Sequence, residues 1–322
     1  MDVFLTSPWI PAEWIRAHGL EPHGLWAVGT FQHGVSAMCA GLCAFAEAAV
    51  RFAEARPDSA VIFSTTCDQL RRGFDSAILH GHRRVFLFNL PATWQTDAAG
   101  QIFRSELQRL GGFLSGMSGR SASPERLRKE LLLSSRTRQR LLDSVPASSP
   151  RGFAEAMARF HWDGVFCQPR DAESADQIPL ALVGGPFLPR HWRLFEEIET
   201  SGGRVALNAT EAGERSLTPA FEPGDPPALP FETLVRGYLD NIVDMFQRPN
   251  LRLYSWLRER LADRQIRGVV LWHYTGCDLW RAEARTLREV LALPVLLIEA
   301  GDEPGLAPRE ITRLQAFIEM LR

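Results

Sequence analysis

Three observations predict an α/β fold of two parallel-sheet lobes joined by a helical insertion. Short apolar, β-prone runs recur at 60–66, 84–91, 179–187, 204–208, 267–278 and 294–301, and helix-patterned stretches alternate with them. The runs carry apolar residues in succession, as strands buried on both faces do. At 322 residues the chain also exceeds the usual size of one domain.

The elements follow in order. PWIPAEWIRAH at 8–18 has proline near its start and Gly19 just past its end, which predicts a short amphipathic helix. The alanine-rich run from Ser36 to Ala55, with Pro57 beyond it, predicts a helix carrying Cys39 and Cys43 one turn apart. AVIFSTT at 60–66 and RVFLFNLP at 84–91 predict the strands of a first lobe. Helical periodicity over 101–145 predicts the insertion, and SVPASSPRG at 144–152 a tight connection. PLALVGGPF, a helix over HWRLFEEIETSGG and RVALN form a strand-helix-strand crossover that opens the second lobe. Five prolines and two glycines between 212 and 230 predict an irregular surface excursion. A helical part over 231–264, the strand in RGVVLWHYTGCD, a helix near 280–292, the strand PVLLIEAG and a helix from Pro308 complete the chain. The domain reading is residues 1–100 as an N-terminal α/β lobe with the cysteine helix, 101–175 as the helical insertion and 176–322 as a C-terminal α/β lobe.

Composition narrows the function. A formal net charge of −2 gives no electrostatic footprint for nucleic acid. No apolar run reaches the roughly 18 residues of a membrane span, and the first residues lack a secretory pattern, so a cytoplasmic protein is expected. Five cysteines scattered over such a chain are expected to be thiols or metal ligands, not a disulfide framework.

Cys67 and Cys277 stand in equivalent contexts. Each ends an apolar strand, is followed by aspartate and precedes a helix-like segment. Side chains at the carboxyl ends of parallel strands converge on the crevice where α/β proteins bind ligands, and a helix N-terminus favours a thiolate. Cys43, from the neighbouring helix, could reach the same point, and three thiolates around an iron-sulfur cluster leave one iron open. A free intracellular cysteine is also commonly a small buried hydrophobe, and ligands this far apart form no recognisable motif. Spacing alone therefore leaves the function open. Cys39 and Cys167 read as structural, Cys167 as core, although Cys39 could substitute for Cys43 as a ligand. Asp68 and Asp278 read as helix caps, and His33, Trp272, His273 and Tyr274 as packing residues that could also line the cleft.

Seven segments carry a resemblance that runs from the opening to the last helix: PWIPAEWIRAHGLEP, LCAFAEA, TTCDQLRR, LALVGGPF, HYTGCDLWRAE, PVLLIEAGD and ITRLQAFIEML. With these the chain resembles the B- and C-type iron-sulfur subunits of 2-hydroxyacyl-CoA dehydratases and benzoyl-CoA reductases. The resemblance implies two Rossmann-like (flavodoxin-like) lobes and a 4Fe-4S cluster held by the thiolates of Cys43, Cys67 and Cys277. It also implies an acyl-CoA substrate, a related second subunit and an ATP-hydrolysing iron-sulfur activator. In such a dehydratase an electron reaches the thioester carbonyl, the resulting ketyl radical anion expels the 2-hydroxyl group, and the electron returns at the end; in a reductase it stays in the product. A non-catalytic electron-transfer partner is the other reading. The chain departs from most members in being shorter between the lobes and in the loop after GGPF, which bears on the identity of the substrate more than on the cluster.

Overall fold

The computed structural model describes residues 1–27, 41–172, 177–217, 229–301 and 305–322. Two sheets organise it, each of four parallel strands. The first contains β1 (Asp2–Leu5), β2 (Glu21–Gly24), β3 (Ala60–Ser64) and β4 (Val85–Phe88) in the order β2-β1-β3-β4. The second contains β5 (Ile178–Gly184), β6 (Gly203–Thr210), β7 (Gly268–Tyr274) and β8 (Val295–Ala300) in the order β6-β5-β7-β8. Both lobes thus wind second-first-third-fourth, an order consistent with the two Rossmann-like (flavodoxin-like) lobes that the resemblance implies.

Burial explains why these segments are strands. Every residue of β3, AVIFS, and of β7, GVVLWHY, is buried, so each is sandwiched by helices on both faces. Removing one such Ile, Phe or Val side chain from water contributes about 1.5–3 kcal/mol. In the first lobe α1 (Ala12–Ala17), α2 (Ala44–Glu54) and α3 (Asp68–Leu79) connect successive strands. Gly73 of α3 lets that helix close on its neighbours, since a Cβ there would meet Phe63 Cε1 of β3 at 3.2 Å.

The insertion is α4 (Asp97–Ser118), α5 (Pro124–Ser144) and α6 (Pro150–Asp163). Their starts are written in the sequence as Thr96, Ser123 and Ser149, whose hydroxyls accept from the amides of Ala99, Arg126 and Gly152. Gly119 and Gly164, at positive φ, end α4 and α6. In the second lobe α7 (Arg193–Thr200) joins β5 to β6, α8 (Pro230–Asn241) and α9 (Leu251–Asp263) precede β7, and α10 (Asp278–Leu291) joins β7 to β8. The terminal α11 (Pro308–Met320) packs on α7 and β8.

A buried polar network ties the insertion to both lobes. Glu13 on α1 accepts from Arg138 Nη1 at 2.7 Å, Ser134 Oγ at 2.6 Å and Tyr238 OH at 2.7 Å, joining α1, α5 and α8. Burial opposes ionisation of Glu13, but the Arg138 guanidinium and these hydrogen bonds outweigh it and bring its pKa down to about 2.

Several expectations need correction. Two strands of the first sheet escaped the sequence reading, because DVFL lies in a short unpunctuated opening and EPHG has no apolar run at all. The cysteine helix begins at Ala44, so Cys43 precedes it instead of riding on it, and Cys39 and His33 lie outside the described residues. The predicted stretch 231–264 is two helices. Within the supposed surface excursion Glu214, Arg215, Ser216 and Leu217 form a buried 3-10 turn, while residues 218–228 lie outside the described residues. Cys167, expected in the core, is exposed.

Candidate functional site

Where the strand order reverses, between the first and third strands of a lobe, the loops leaving the carboxyl ends part and open a crevice. Cys67 follows β3 and Cys277 follows β7, the third strand in each lobe, so they occupy the same place in the repeated topology. The crevices face one another. Cys43, Cys67 and Cys277 all line one cavity of about 300 Å³ between the lobes.

All three cysteines share a second feature. Cys43 is the N-cap of α2, Cys67 of α3 and Cys277 of α10, so three helices begin at the cavity, each with a thiol at its first position. No sulfur closes a capping hydrogen bond. The amides of Ala46, Leu70 and Trp280, each three residues further on, nevertheless favour the ionised form of the thiol before them. Burial acts the other way and wins: it raises the Cys43 thiol above its ordinary range, raises Cys67 with Cys43 beside it adding to the effect, and pushes Cys277 up to about 12. Each thiol disfavours ionisation of its neighbours, as closely grouped anionic sites must.

The approach of these residues depends on local backbone. Gly276, at φ +83°, lets the loop after β7 pass close to Cys43, whose Cβ would lie 3.8 Å from a Cβ added at 276. The Cys43 amide donates to Gln69 Oε1 at 2.9 Å, which binds the start of α2 to the first turn of α3. At the end of β5, Gly184 has φ +153°, and a Cβ there would stand 2.0 Å from the carbonyl oxygen of Trp272.

Four further residues shape the cavity, and the sequence reading found none of them. Glu211, just after β6, accepts from Ser7 Oγ at 3.0 Å, a hydrogen bond from one lobe to the other. Burial, then the neighbouring Asp244 carboxylate, hold Glu211 above the ordinary carboxylate range, with Arg215 and Ser7 opposing. Fully buried Arg215 donates to the carbonyls of Gly184, Ala209 and Val243 at 2.6–2.8 Å and to Asp244 Oδ2 at 2.7 Å. It therefore clamps the ends of β5 and β6 to the segment after α8. An isolated Glu, Ser, Asp or Arg in a turn gives no sequence signal, because the turn itself is not periodic.

Other candidates fall in different places. Asp68 and Asp278 are exposed first-turn residues of α3 and α10, not caps, and they stand at the edge of the cavity. Tyr274 lines the cavity. Trp272 is a core residue whose Nε1–H donates to the Pro186 carbonyl, and His273 is buried with Nδ1 3.0 Å from the Tyr274 carbonyl oxygen.

Among the described residues no three His, Cys, Asp or Glu side chains are grouped tightly enough to hold a single metal ion. Three thiols set around a cavity are a different donor set, since cluster ligands bind separate irons and must stand apart.

A two-lobed α/β protein with a thiol-lined crevice between matching switch points is the class these features define. The model of the 2-hydroxyglutaryl-CoA dehydratase D-component family matches residues 9–321, and the chain belongs to that family. A candidate dehydratase subunit, YjiM, of Escherichia coli (strain K12) is 24% identical over 289 residues, covering 81% of this chain and 74% of the relative.

Proposed function

We propose that the chain is the iron-sulfur subunit of a 2-hydroxyacyl-CoA dehydratase, holding a 4Fe-4S cluster through Cys43, Cys67 and Cys277. The observation that carries this reading is the convergence of three helix-capping thiols from two lobes on one cavity. The donor set suits the group: buried thiols that resist ionisation on their own become stable thiolates beside a cationic cluster, with three helix N-termini supporting their charge. When bound, such a cluster supplies low-potential one-electron chemistry and, at a corner the protein does not hold, a Lewis-acidic iron.

The reaction requires that kind of help. A hydroxyl group next to a thioester carbonyl is a poor leaving group, and the C–H on the adjacent carbon is barely acidic until the carbonyl carries an added electron. The chain's own residues take the remaining roles. Apolar walls from Phe45, Leu70, Met245, Phe246, Leu279 and Trp280 keep water from the reacting acyl group. Glu211, which favours its protonated form, holds a proton at the cavity. Arg215 and the glycine at 184 fix the loops around it. A related second subunit and an ATP-hydrolysing activator complete the proposed system.

Anaerobic purification with iron and sulfide analysis and electron paramagnetic resonance tests the proposal. One four-iron cluster per chain is expected, and its reduced signal should change on adding an acyl-CoA and change much less with free CoA. Protein that takes up no iron, or a signal indifferent to every acyl-CoA, removes the basis of the reading.

A further inference from the structure

We propose that the cavity accepts a thioester whose acyl chain is uncharged and discriminates against one that ends in a second carboxylate. This rests on the dehydratase reading and concerns which acyl group the site takes.

The charges around the cavity carry the inference. Asp68, Asp244 and Asp278 line it as carboxylates, and Arg71 is its one cationic lining residue among those described. Arg71 is exposed and lies beside Asp68, with Nε 3.8 Å from Oδ1, so its charge is partly answered at the rim. Arg215 reaches Asp244 from behind the wall and spends its other donors on three backbone carbonyls. Nor can the undescribed segments supply a strong cation: residues 28–40, 173–176, 218–228 and 302–304 contain no lysine or arginine.

What remains of the wall is neutral: Thr65, Thr66, Gln69 and Tyr274 supply its polar part, and the rest is mainly apolar. Phe45, Leu70, Met245, Phe246 and Leu279 offer contacts to a hydrocarbon or aromatic chain and no donor to a carboxylate. Removing a carboxylate from water without a hydrogen-bonding cation is opposed more strongly than apolar contact by the methylenes of the same chain favours it. A neutral branched or aromatic acyl group meets none of these obstacles.

Isothermal titration of the anaerobically reconstituted protein with 4-methylpentanoyl-CoA, 3-phenylpropanoyl-CoA, glutaryl-CoA and free CoA tests the inference. The two neutral thioesters are expected to bind about tenfold or more tightly than glutaryl-CoA. Replacing half-buried Leu279 by arginine should narrow that ratio by strengthening glutaryl-CoA binding, with iron content confirming that the variant is folded. Glutaryl-CoA binding the unaltered protein as tightly as the neutral thioesters would overturn this inference alone. If no thioester binds better than free CoA, the acyl-CoA reading falls together with it.

Discussion

A cysteine at a helix N-cap is an uncommon choice, since Ser, Thr, Asp or Asn would cap better. In the proposed cluster site three such residues converging on one cavity have a chemical reason, since the position would set each thiolate before free amides. Replacing Cys43, Cys67 or Cys277 by alanine is expected to lower bound iron sharply, as colorimetric iron and sulfide analysis of anaerobically prepared variants would measure, whereas replacing exposed Cys167 should leave it unchanged. Unaltered iron in all three would sink the assignment. Cys67 and Cys277 were legible in the sequence because strand, cysteine, aspartate and helix recur in the same order. Cys43 was legible as a residue but not as a cap, because the alanine-rich run around it has helical propensity on both sides and cysteine carries no start signal. Glu211, Ser7, Asp244 and Arg215 were illegible, since only the fold brings them together.

At the level of elements, the ends of β5 and β7 set how closely the second lobe closes around the site. Gly184→Ala would drive a methyl group into the Trp272 carbonyl, and the destabilisation expected is on the order of 3 kcal/mol. Urea unfolding measures it; a variant as stable as the parent would show that the two strands can part freely. The network joining α1, α5 and α8 predicts a larger effect. Arg138→Met leaves the Glu13 carboxylate buried without its cation, at a cost of about 3–5 kcal/mol. The same network fixes a pH dependence. Because Glu13 has a lower pKa folded than unfolded, the folded state binds fewer protons, and its contribution is present above the ordinary carboxylate value and lost as pH falls from there through about 2. Melting temperatures from pH 5 to pH 2 should fall more steeply for the parent than for Glu13→Gln. Parallel profiles would show that the pair contributes nothing to acid unfolding. The helices of the insertion were readable from their serine and threonine caps and helical period, whereas β1 and β2 were not, being four residues each with too little pattern to register.

For the molecule as a whole, the alternation of apolar runs with helical pattern was enough to read two parallel α/β lobes, since that order admits few other topologies. How the lobes meet was not readable. Their junction is made of hydrogen bonds such as Ser7 to Glu211, Gln247 Nε2 to the Pro91 carbonyl at 3.3 Å and the Arg248 amide to the Ala92 carbonyl at 2.7 Å, none of which has a sequence pattern. The proposed second subunit belongs to this scale too: mass measurement on protein isolated from its native host should show this chain together with a related one, and a lone chain with full dehydratase activity would count against it.

The placement of the three cysteines has a consequence for how the site comes into being. Two belong to the lobe synthesised first, and the third follows β7, near the end of the chain. A growing chain on the ribosome therefore holds two thirds of the constellation for most of its synthesis and cannot complete it until the last lobe has folded back. Under the proposed cluster reading the full set of ligands exists only once both lobes have folded, with the exposed carboxylates of Asp68 and Asp278 at the edge of the cavity they enclose.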